Sequence, residues 1–104
     1  MENDVGFFSD LFSRKAIGAQ GADFALQFGK RLTKERVEDE KRVAAEFDIL
    51  VGKVLGYQRK SELGVLGTSH LVNSVQWSLI DQGFPTDFSK HIGSQLALRL
   101  AAGQ

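Results

Sequence analysis

The chain has 104 residues, with thirteen Lys plus Arg, thirteen Asp plus Glu, two His and no Cys, for a formal net charge of zero. That length suits one compact domain, and 42% apolar content with a single Pro argues against disorder or a collagen-like repeat. Without cysteine there is no Cys-ligated zinc, iron–sulfur cluster, disulfide framework or thiol nucleophile. The balanced charge also removes the bulk electrostatic drive toward nucleic acid.

The first residues, Met1 to Val5, are acidic, and Phe7 and Phe8 are followed at once by Ser9 and Asp10. This is neither the basic start and apolar run of a secretory signal nor an Arg-rich presequence, so a cytoplasmic protein is expected. Phe7, Phe8, Leu11 and Phe12 then stand at helical spacing within an amphipathic segment over residues 1–17. Its preferred role is a lid folded back on the rest of the chain. Contact with a partner is a second reading and a membrane surface a third, the latter opposed by Asp4 and Asp10. Gly18 and Gly21 predict a break after this segment.

Ala22, Phe24, Ala25, Phe28 and Leu32 form a shorter amphipathic stretch, with Asp23 in its first turn. The clearest helix is expected over residues 33–55, capped by Thr33. Its stripe is Val37, Val43, Ala44, Phe47, Leu50, Val51, Val54 and Leu55, and Gly56 is its stop. The polar stretch 58–64 reads as a connector, and Gly64 to Gly67 as a turn before a helix capped by Thr68 or Ser69. Leu71, Val72, Val75 and Leu79 are the stripe of that helix, which Gly83 ends. After Pro85, Thr86 is the expected cap of a last helix over residues 87–102, with Phe88, Ile92, Leu96 and Leu100 in register. No strand-like alternation and no internal repeat appear. The expectation is an all-α single-domain bundle of four or five helices, 1–104.

Charge is distributed unevenly. Residues 30–42 hold six basic and four acidic side chains, whereas residues 63–104 hold only Asp81, Asp87, Lys90 and Arg99. Apolar residues of the C-terminal pair also fall off the main stripes: Trp77, Ile80, Phe84 and Leu98. Depletion of charge with aromatic enrichment is the composition of interface centres. These four residues are therefore the candidate contact surface of a small protein-interaction module that binds itself or another protein, a homodimer being the commonest form. The competing reading is that they are core, covered by the charged helix.

An alternative is phosphate or nucleic-acid contact through Lys30, Arg31, Lys34, Lys41 and Arg42. The interleaved Glu35, Glu38, Asp39 and Glu40 favour a salt-bridged solvent face instead. His70 and His91 have no metal-ligand spacing, no triad or carboxylate pair stands out, and neither a catalytic site nor a cofactor is expected.

Overall fold

The computed structural model describes the backbone of residues 2–103 and the side chains of residues 13–103. It is an all-α bundle, 85% helical, and the described residues contain no strand. Its helices are α1 (Glu2–Arg31), α2 (Glu40–Lys60), α3 (Val65–Asp81) and α4 (Thr86–Ala102), with a 3-10 turn at Lys34–Arg36 between the first two.

Three contacts set the direction of α3 against α1. His70 Nε2 donates to the Arg14 carbonyl at 2.9 Å, Ser74 Oγ to the Gly18 carbonyl and Ser78 Oγ to the Ala22 carbonyl. Both members of each pair advance by four residues from one bond to the next, so the helices run parallel and in register. Elsewhere rising numbers meet falling ones: Phe24 packs edge-on to Tyr57 while Arg31 pairs with Glu46, which makes α2 antiparallel to α1. Gln76 lies against Gly93, while Val65 and Ala101 share one groove, so α4 is antiparallel to α3. Around the bundle the order is α1, α3, α4, α2.

The break expected at Gly18 and Gly21 does not occur, because α1 continues through both. A Cβ at Gly21 would stand 2.7 Å from Ser74 Cβ, and one at Gly18 would stand 3.3 Å from His70 Nε2. These glycines let two backbones approach; they do not bend the chain.

The helix expected over residues 33–55 is displaced. Because α2 must run back along α1, residues 32–39 are used to reverse the chain. The helix starts after Asp39, whose carboxylate accepts from the Arg42 N–H at 3.2 Å. Thr33 precedes only the 3-10 turn and makes no side-chain cap. Gly56 is an interior residue, and α2 ends at Lys60 in a Schellman motif. There Leu63 N–H donates to the Gln58 carbonyl and Glu62 N–H to that of Arg59, with Glu62 at φ 51°. The same motif closes α3, with Gly83 at φ 98° and Phe84 N–H on the Leu79 carbonyl.

Thr68 and Ser69 cap nothing, since α3 begins at Val65 after Gly64. Thr86 is the first residue of α4, following Pro85, and makes no side-chain cap. One contiguous core joins the four helices through residues such as Phe28, Leu32, Val54, Leu71, Leu79 and Leu96.

Candidate interaction surface

The four residues expected at an interface separate in the structure. Trp77 is 59% exposed and Leu98 63%, each on the outer side of its helix. Ile80 is half-buried. Phe84 is 4% exposed and belongs to the core, where its ring stacks on Phe88 at 5.6 Å and tilts against Phe28 at 6.0 Å. Phe84 is therefore removed from the candidate surface. The Schellman turn decides this: a residue after the αL glycine folds back onto the last turn of its own helix.

Two residues that sequence reasoning missed are the most exposed large apolar side chains described. Val65 is 82% exposed and Leu66 80%. Read as part of a turn, they are the first two residues of α3. The available signal was Gly64 as a cap, with Val65 seven residues before Val72 on one helical face. Antiparallel packing with Gln76 opposite Gly93 puts Leu98 about 9 Å along the bundle axis from Trp77. An open groove of about 450 Å³ runs between α3 and α4, lined by Gln58, Val65, Thr68, Ser69, Val72, Asn73, Ala97 and Ala101. No charged side chain lines it. Gln58, 3% exposed, donates from Nε2 to Thr68 Oγ1 at its edge.

A second groove, about 470 Å³, separates the N-terminal half of α2 from α4. Val43, Phe47, Phe88 and Ile92 make its floor, and Glu40, Asp48, His91 and Arg99 its rim. Arg99 sits 5.8 Å from the centre of the Phe47 ring and 3.6 Å from Asp48, so its charge is already engaged on both sides.

The basic residues proposed for phosphate contact do not form one patch. Arg31 pairs with Glu46, a carboxylate only 6% exposed. Arg42 Nη2 donates to the Arg31 carbonyl at 3.0 Å, closing the end of α1. Lys34 stretches over the turn at Gly83, where an added Cβ would meet its Nζ at 3.1 Å. Lys30 and Lys41 are exposed. Three of the five thus serve the bundle's own turns and pairs. Phe7, Phe8, Leu11 and Phe12 lie on the α1 backbone, but their side chains fall outside the described residues.

His70 is occupied by the Arg14 carbonyl, so its Nε2 carries the proton. His91 is exposed on the rim of the second groove. Among the described residues no three His, Asp or Glu side chains converge as a metal site, and no helix is long and apolar enough to cross a membrane.

No protein family, curated protein or solved structure matches the chain. The functional reading therefore stands on the surface itself.

Proposed function

We propose that this protein is a helical interaction module that self-associates through the outer faces of α3 and α4. The observation that carries this reading is the combination of exposed Trp77 and Leu98 with an uncharged groove between their helices. Large apolar side chains scattered singly need no explanation, but here they accompany a face depleted of charge. A two-fold dimer would bury such a face against itself. The same reading takes the cytoplasm as its compartment, with cell fractionation as the check.

Sedimentation equilibrium of the full chain over a range of concentrations tests it. A discrete dimer is expected, and Trp77→Gln with Leu98→Gln should raise its dissociation constant by more than about tenfold. Both residues are solvent-facing, so helicity by circular dichroism should be unchanged. A monomer at every concentration, or a dimer indifferent to the double substitution, overturns the reading.

A further inference from the structure

The solvent-facing stripe of α3 has the same spacing in both directions. Leu66, Ser69, Asn73 and Trp77 are exposed, and Ile80, half-buried, continues the row. The steps along it are three, four, four and three residues, so all five side chains share one helical face. Asn73 is the centre of this row, with Ser69 and Trp77 four residues to either side and Leu66 and Ile80 seven. It is also the midpoint of α3, Val65–Asp81.

The neighbouring helices leave this stripe open. His70, Ser74 and Ser78 turn toward α1, where they meet the carbonyls of Arg14, Gly18 and Ala22. On the other flank Gln76 lies against Gly93 of α4. From Val65 to Ile80 there is no Asp, Glu, Lys or Arg.

We propose that α3 pairs antiparallel with α3 of a second copy, across a two-fold axis that passes at Asn73. The proposal rests on the self-association reading above and adds its axis and register. Such an axis maps each residue onto the one equally far beyond Asn73. Leu66 then meets the partner's Ile80, Ser69 the partner's Trp77, and Asn73 the partner's Asn73. The first pair is apolar. In the second, an indole N–H, which can only donate, meets a hydroxyl that can accept. In the third, a carboxamide carries both donor and acceptor and so can bond its own copy. Ser69 and Asn73 also line the uncharged groove beside α4, which gives the partner's indole a recess to enter. The missing charge favours a second copy over a different protein. Beside a two-fold axis a charge would meet its like, whereas an unlike partner could answer it with the opposite sign. Contact along the whole stripe, about 21 Å from Leu66 to Ile80, requires a shallow crossing of about 20°.

Charge placed at the axis tests the register. Asn73→Asp and Asn73→Lys should each raise the dimer dissociation constant more than about tenfold by sedimentation equilibrium. Asn73 is exposed, so circular dichroism should be unchanged. An equimolar mixture of the two variants should associate again, which no loss of folding could mimic. Because the chain has no cysteine, single cysteines also report the pairing. Under oxidation Asn73→Cys should give a disulfide-linked dimer at least about tenfold faster than Leu66→Cys, whose two copies would stand about 21 Å apart along the helices. Leu66→Cys mixed with Ile80→Cys should cross-link one chain to the other. A dimer that tolerates both charges at Asn73, or in which Leu66→Cys links to itself as fast as Asn73→Cys, overturns this axis and leaves self-association standing. A chain that is monomeric at every concentration overturns both.

Discussion

The hydroxyl of Ser74 donates to the backbone carbonyl of Gly18 across the α1–α3 interface, at a point where the two helices are held apart by almost no side-chain volume. His70 and Ser78, one turn to either side, repeat the contact on Arg14 and Ala22. Each acceptor lies within α1, and a carbonyl has a second lone pair to offer. The ladder therefore adds bonds without taking any from the helix. Ser74→Ala should cost about 1 kcal/mol, read as a lower urea midpoint at constant m. Ser78→Ala should cost less, since its bond is 3.5 Å long.

Glycine to alanine should have opposite signs at different points of this fold. At Gly21 the new Cβ would lie 2.7 Å from Ser74 Cβ and 3.0 Å from the Leu71 carbonyl oxygen, neither of which can swing away. Overpacking of about 1–3 kcal/mol then exceeds the roughly 1 kcal/mol of helix propensity gained. Gly52 and Gly56 have nothing within 4 Å of an added Cβ and are exposed inside α2. Alanine at either should stabilise by up to about 1 kcal/mol. Thermal melts of the three variants check this: Gly21→Ala lowers the midpoint, and the other two raise it.

The two Schellman turns make a matched pair. Glu62 occupies the left-handed position at φ 51°, where an L side chain costs on the order of 1 kcal/mol. Glu62→Gly should therefore stabilise by roughly that amount. Gly83 holds the equivalent position at φ 98°, under the Lys34 side chain. Gly83→Ala should destabilise by about 1 kcal/mol or more. Chemical denaturation of both variants reads the two signs directly.

Arg31 and Glu46 should behave as a coupled pair. Arg31→Ala leaves a carboxylate that is only 6% exposed without its partner, and should cost about 1–2 kcal/mol, the lower part of the range for a buried charge because Arg31 itself is half-exposed. The double variant Arg31→Ala/Glu46→Ala should lose less than the sum of the two single losses. Lys30→Ala, one residue away on the exposed side, should change stability by less than about 0.5 kcal/mol. A double-mutant cycle with additive losses would show that the pair contributes no coupling.

Much of the fold was legible in the sequence. The all-α class and the core residues Leu71, Val72, Val75, Leu79, Ile92, Leu96 and Leu100 follow from a 3.6-residue apolar period, which is a property of each segment by itself. Gly83 as the end of α3 was equally readable, because a left-handed residue there favours glycine over any side chain. Of the candidate surface, Trp77 and Leu98 were found because they fall off those stripes. Val65 and Leu66 were not found, since Gly64 at the N-cap offers no side chain to mark the helix start and the Gly64–Gly67 pair reads locally as a turn.

What only the tertiary structure decided is the meaning of residues whose local chemistry allows two answers. Gly18 and Gly21 are helix breakers in isolation and close-contact residues against α3; Gly56 is a stop signal in isolation and an interior residue of α2. Phe84 is exposed or buried according to the direction in which the chain leaves Gly83. Arg31, Lys34 and Arg42 form a basic cluster along the sequence but are drawn to three separate partners in space. Helical period depends on neighbours three and four residues away, and one sequence contains all of them. Helix crossing, chain reversal and charge pairing depend on contacts between residues such as Ser74 and Gly18, 56 positions apart, whose proximity exists only once the bundle has assembled.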